Sequence, residues 1–258
     1  MKKLIYVLAI LLFWSPFACS DDDNISVTNP PNPTSDDLTA DQIAILCMGD
    51  SRIEGARPEY ESYRYEFWKL MKSGGYNFNL IGPLEDNASY PTFMDTAFDN
   101  DHAGIGGIDT SGVLEELNDF LTSANRGPDV VLLGIGGNDV ADNIRPVTEV
   151  ISNIGLIIDG IQANNPNATI VVEIIAGAFG NSQEVTNLNN QLTTFETQVI
   201  QLATDKTTST SQVVTVDMNT GFTNNSLYYA DPVHYNEAGA VEIAKRYYDV
   251  LVPLLNQQ

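Results

Sequence analysis

Basic side chains are scarce in this chain. Twelve Lys and Arg face 34 Asp and Glu over 258 residues, a formal charge of −22. A phosphate-binding surface needs clustered Lys and Arg, so nucleic acid is not expected as a partner. The same field opposes docking of the protein surface on anionic lipid head groups. Cysteine is nearly absent, with only Cys19 and Cys47. Two cysteines so placed make neither a disulfide framework nor the usual zinc cluster, and nothing implies a metal or another cofactor. Histidine is as rare: an imidazole base has to be His102 or His234.

Long apolar runs are also missing. The longest, Leu4 to Trp14, falls short of the roughly 20 residues that span a membrane. It follows Lys2 and Lys3 and precedes Pro16-Phe17-Ala18-Cys19, which reads as an export signal over residues 1–18. Cys19 at that point resembles the lipobox of bacterial lipoproteins, with Pro16 where Leu is usual. The resemblance implies lipidation of Cys19 and an anchor in the outer membrane, facing the cell surface. Plain cleavage after Ala18 is the alternative. Residues 19–40 begin Cys-Ser-Asp-Asp-Asp and continue rich in Asn, Pro, Thr and Ser. That composition reads as a flexible tether.

From residue 41 to 258 the pattern is one α/β domain. Ile43 to Met48 is an unbroken apolar run that stops at Gly49-Asp50-Ser51, the mark of a buried parallel strand. Further strands are expected at 77–81, 129–135, 169–175 and 212–218. Helices are expected at 60–73, 110–124, 146–161 and 187–203, and a last one after Asn236 with Val241, Ala244, Tyr248 and Leu251 on one face. Strands alternating with helices predict a three-layer α/β/α sandwich. The acidic stretch 84–102 is expected to be a rim or lid, or else a packed surface excursion. Its Asp95, Asp99 and Asp101 could hold calcium or simply face solvent.

Four stretches carry chemistry. Gly49-Asp50-Ser51 leaves a hydroxyl just past a strand end, where α/β sheets collect their ligands. His102-Ala103-Gly104-Ile105-Gly106-Gly107 lets a backbone N–H approach a ligand, and His102 is the competing base, or else a rim or structural residue. Gly136-Gly137-Asn138-Asp139 offers a side-chain amide donor. In Asp231-Pro232-Val233-His234 the carboxylate can hold one ring nitrogen while the other takes a proton from a serine. Arg52, beside the serine, could meet a uronate at the substrate rim or make a surface ion pair.

Together these blocks resemble the SGNH (GDSL-type) hydrolase family over about residues 42–255, most of all its small carbohydrate-esterase branch. The resemblance implies a flavodoxin-like fold with a five-stranded parallel sheet. It implies a catalytic Ser51, His234 and Asp231, and an oxyanion hole from the N–H groups of Ser51 and Gly107 and the amide of Asn138. It implies hydrolysis of acetyl esters on polysaccharide or oligosaccharide. The alternatives are a lipase, thioesterase or lysophospholipase of the same family, or a glycan-binding lipoprotein on an inactive scaffold. Three residues depart from the family pattern: Arg52 for Ile or Leu, Ile108 for Trp, and Tyr235 for Pro.

Overall fold

The computed structural model describes residues 38–256. The export signal, Cys19 and nearly all of the expected tether lie outside the described residues. Leu38, at the end of that tether stretch, is buried against the core.

The sheet is built on β1 (Ile43–Gly49). One edge of β1 pairs in parallel with β5 (Val130–Gly134), which continues to β6 (Thr169–Ile174) and β7 (Val213–Asp217). The other edge is shared. Its first half pairs in parallel with β2 (Phe78–Ile81), and its tip, Met48 and Gly49, pairs with Ala103 and Gly104 of β4 (Asp101–Gly104). The five expected parallel strands therefore all form and, numbered as they occur in the chain, lie across the sheet in the order two-one-three-four-five. That order reverses direction between β1 and β5, which is where such sheets bind ligands. The additions are an antiparallel strand, β3 (Leu84–Glu85), at the start of the acidic stretch 84–102, and its partner β4, which begins at the end of that stretch and runs on to Gly104. Neither carries an apolar run; docking on the tip of β1 creates β4.

Alternation along the strands makes the layers. Ala44, Leu46 and Met48 face one core with α3 (Thr110–Leu121), α5 (Val147–Asn164) and α6 (Gln183–Lys206). Ile45 and Cys47 face the other with α2 (Arg64–Ser73) and α7 (Glu237–Leu255). Two short helices, α1 (Ser51–Glu54) and α4 (Gly137–Ala141), start just past the ends of β1 and β5.

Three helix expectations need correction. The helix expected from Tyr60 begins at Arg64, because residues 56–61 pair in bridges with one another and with Tyr235. The helix expected at 187–203 runs from Gln183 to Lys206, capped by the Ser182 hydroxyl on the N–H of Val185. In α7, Asn236 caps as expected, but Val241 is exposed; Ala240, Ile243, Ala244, Tyr247 and Leu251 form the buried stripe. The stretch 84–102 is a packed excursion. Tyr90 and Phe98 sit on Tyr65, and Phe93 and Phe98 on Trp68, all away from the catalytic cavity described below. Asp99 spends its carboxylate on the N–H of Leu80, and Asp101 is buried. Among the described residues no group of three His, Cys, Asp or Glu side chains is placed to hold a metal ion.

Candidate active site

Ser51 is the first residue of α1, and the turn that delivers it is forced by close strand packing. Gly49 has φ +152°, and a Cβ there would lie 1.9 Å from the carbonyl oxygen of Gly134 on β5. Only glycine fits. Asp50 then caps α1, its buried carboxylate accepting the N–H of Arg52 at 3.0 Å. Burial raises the Asp50 carboxyl above its ordinary pKa, against the pull of Arg52.

Across the rim, Ser51 Oγ lies 2.8 Å from Nε2 of His234. Nδ1 of the same ring lies 2.7 Å from Oδ2 of Asp231. The other Asp231 oxygen accepts the N–H groups of Val233 and His234, at 2.8 and 2.7 Å. Partial burial alone would raise the Asp231 carboxyl; the hydrogen bonds from the His234 ring and from these amides hold it below its ordinary value. A carboxylate that stays ionised fixes Nδ1 as the proton-bearing nitrogen and leaves Nε2 to accept from the serine. The Tyr60 ring stacks on the imidazole, with centroids 3.9 Å apart and planes within 15°.

Ser51, Gly107, Asn138 and His234 line one cavity of about 450 Å³, with Ile175, Ala176, Leu188 and Leu192 on an apolar wall. Gly107 has φ +75° and open space where a Cβ would go, so its glycine serves backbone conformation. The N–H groups of Ser51 and Gly107 are not spent on the backbone hydrogen bonds of the surrounding turns. Asn138 donates one amide hydrogen to the carbonyl of Ile108 at 2.8 Å, which holds the side chain and leaves a second hydrogen. Asp139, fully buried, takes the N–H and hydroxyl of Thr110 and an ion pair from Arg145. The loops bearing Gly107 and Asn138 are thus tied together from behind.

The two rim candidates fare differently. Arg52 does line the catalytic cavity, but its guanidinium is bound rather than free, and it makes no surface ion pair. It is 9% exposed, and its Nε and Nη1 donate to the carbonyls of Val233 and Ala176 at 2.8 and 2.9 Å. Its guanidinium also lies 5.1 Å from the centre of the Tyr235 ring. Two of the three departures from the family pattern therefore touch each other, and together they brace the His234 loop. His102 lies in β4, is buried, and is absent from the lining of the catalytic cavity. It cannot serve as the base for Ser51.

The sequence did not single out Tyr60, Glu173 or Arg64. Glu173, buried on β6, accepts the Tyr247 hydroxyl at 2.7 Å; burial pushes its carboxyl up to about 7. Arg64 is fully buried and holds the carbonyls of Ile53, Glu54 and Asn100 and the Asp86 carboxylate. A single Arg inside an aromatic helix start, Tyr63-Arg64-Tyr65, was the one available signal in a chain so poor in cations.

The sequence profile of the GDSL-like lipase/acylhydrolase family matches residues 47–241, well over half of the chain. The chain belongs to this family. Among solved structures, this GDSL-family chain is similar to a carbohydrate esterase family 3 protein from Talaromyces cellulolyticus, at 24% identity and TM-score 0.70, covering 84% of this chain and 100% of that one. It is also similar to a family 3 carbohydrate esterase from Clostridium thermocellum, at 25% identity and TM-score 0.67, covering 84% and 98%. A multidomain esterase from Ruminococcus flavefaciens is 27% identical over 219 residues, 80% of this chain. The GDSL-family chain spans 28% of that protein's length.

Proposed function

We propose that this GDSL-family protein is a serine esterase that removes acetyl groups from extracellular polysaccharide through an acyl-serine. One observation carries the chemistry: Ser51, His234 and Asp231 form an unbroken hydrogen-bonded chain that opens into a cavity. His234 Nε2 takes the hydroxyl proton as Ser51 Oγ bonds to the ester carbonyl carbon. The carbonyl oxygen becomes an oxyanion among the N–H groups of Ser51 and Gly107 and the amide of Asn138. Asp231 and the Tyr60 ring face the imidazolium formed in that step. The proton passes from His234 to the departing sugar hydroxyl as the carbon–oxygen bond breaks. A water then repeats the sequence on the acyl-serine, releasing the acid and restoring Ser51.

Acetyl on carbohydrate is supported by the relatives, whose names are carbohydrate esterase, acetyl esterase and acetyl xylan esterase. The apolar wall of Ile175, Leu188 and Leu192 favours a second possibility, acyl chains longer than acetyl. Acetate release from a panel of acetylated polysaccharides, with Ser51→Ala as control, tests the assignment. An acyl-length series on 4-nitrophenyl esters separates the two substrates: a maximum at acetate supports deacetylation, a maximum at longer chains the lipase-like alternative. Export and a lipid anchor on Cys19 belong to the same proposal. Fatty-acid labelling of the full chain that is lost in Cys19→Ser would support the anchor, and unlabelled wild-type chain would remove it.

A further inference from the structure

The catalytic imidazole is held at both ring nitrogens and also on one face. Ser51 meets Nε2 and Asp231 meets Nδ1. Tyr60 covers the face, its ring 3.9 Å away between centroids and 15° off parallel. Turning the imidazole out of its plane would drive its edge into that ring.

The ring arrives on the loop that leaves α1. Gly55 opens the loop with φ +75°, and a Cβ there would lie 2.9 Å from the Ser62 side chain. Ala56 and Tyr60 exchange both backbone hydrogen bonds, each 3.1 Å, and Glu61 N–H donates to the Tyr235 carbonyl at 2.8 Å, one residue past the imidazole. Arg57 braces the loop from outside: it pairs with Glu61, and its guanidinium lies 4.6 Å from the centre of the Tyr90 ring. Nucleophile and ring therefore come from one short segment and meet the same imidazole at its edge and on its face.

The face of an aromatic ring carries negative potential and attracts a cation within about 6 Å of its centre. His234 is neutral before attack and a cation once it holds the serine proton. The contact strengthens in that second state, so it favours the proton transfer. Burial pushes the Tyr60 phenol above its ordinary value, so the ring itself stays uncharged. The charged groups around the pair are Asp231, Asp50 and Arg52 at the nucleophile turn, Glu54 and Glu59 beside Tyr60, and Asp142 across the cavity.

We propose that Tyr60 is a positioning residue for His234, fixing the plane of the imidazole and stabilising the imidazolium through its ring face. The part played in turnover rests on the esterase proposal; the hold on the imidazole proton does not. The chain has two histidines, and His102, pushed down to about 2 by burial and then by Arg64, does not titrate near neutrality. A nuclear magnetic resonance titration of the histidine-labelled full chain therefore follows His234. The variants are Tyr60→Phe and the same variant carrying one, two or three ring fluorines, which weaken the ring face and leave its shape and every neighbouring charge in place. The His234 midpoint should fall stepwise with fluorine, by about 0.5–1 pH in all, and kcat for 4-nitrophenyl acetate by about three- to tenfold with KM little changed. A midpoint that ignores fluorine overturns the proposal. So does a fall already complete in Tyr60→Phe, which would assign the effect to the hydroxyl, or a stepwise fall with constant kcat, which would take Tyr60 out of the reaction. A wild type that releases no acetate while the stepwise fall persists would sink the esterase assignment and leave the ring contact standing.

Discussion

Ser51 and His234 reach the same rim from two unlike kinds of structure. The serine is delivered by the sheet itself: a buried strand, a glycine that nothing else can replace, and a capped turn of helix. The imidazole sits in a loop whose Asp231 side chain is 44% exposed, and that loop has no strand or helix of its own. It is held instead by bonds to its carbonyls. Phe179 N–H donates to Pro232, Arg52 to Val233, Ala230 N–H to His234 and Glu61 N–H to Tyr235. Topology places the nucleophile, and cross-braces place the base. A defect in either should stop the reaction, but only the braces can be loosened by degrees.

The largest effect is expected where that distinction vanishes. Ser51→Ala and His234→Ala each should lower turnover by roughly 10⁴-fold or more, with the far-ultraviolet spectrum unchanged. Next comes Asn138→Ala. Steady-state kinetics should show a fall in kcat of about 10²–10³ with KM little changed, because the lost donor serves the transition state. A change confined to KM would remove Asn138 from the oxyanion hole.

The braces sharpen the comparison. Arg52→Met should lower kcat about tenfold through the loosened loop while leaving the binding of Ser51 region ligands intact. A double-mutant cycle on thermal stability with Tyr235→Leu should return a coupling of about 1 kcal/mol, the size of a buried cation–aromatic contact. Additive losses would show that the two departures from the family pattern are independent.

The smallest effect concerns pH. Glu173 lies behind the nucleophile, facing Arg52, Asp50 and Tyr247, with its carboxyl raised by burial from 4.5 to about 7. Between those values the native state keeps a proton that the unfolded chain has released. Stability therefore falls as pH rises from 4.5 to about 7, and this contribution is constant above that. Glu173→Gln should flatten the fall in urea-unfolding free energy over that window. Asp99, raised by burial to about 6, keeps a smaller slope of the same sign. An unchanged slope in Glu173→Gln would place the proton elsewhere.

What could be seen in the sequence follows the same division. The apolar strands β1, β5, β6 and β7 announce themselves, and so do the residues just past their ends, Ser51 and Asn138. Asp231 and His234 are close in sequence, so their hydrogen bond was legible too. The strand β4 was not, because Asp101-His102-Ala103-Gly104 has no apolar pattern and owes its conformation to the tip of β1. The anchoring of Arg52 leaves no trace in the sequence, because its two carbonyl partners lie 124 and 181 residues away. Tyr60 is only the first residue of the helix expected at 60–73; its stacking on His234 is a tertiary contact with no local trace. His102 stands beside the catalytic loop in the chain, but β4 buries it outside the lining of the catalytic cavity.

The most direct test of the whole account is covalent. A serine-reactive phosphonate should add once to the protein, and peptide mapping should locate the adduct on Ser51, with the labelling rate falling at least a hundredfold, as an order of magnitude, in His234→Ala. An adduct on any other residue, or a labelling rate that ignores the loss of His234, would contradict it.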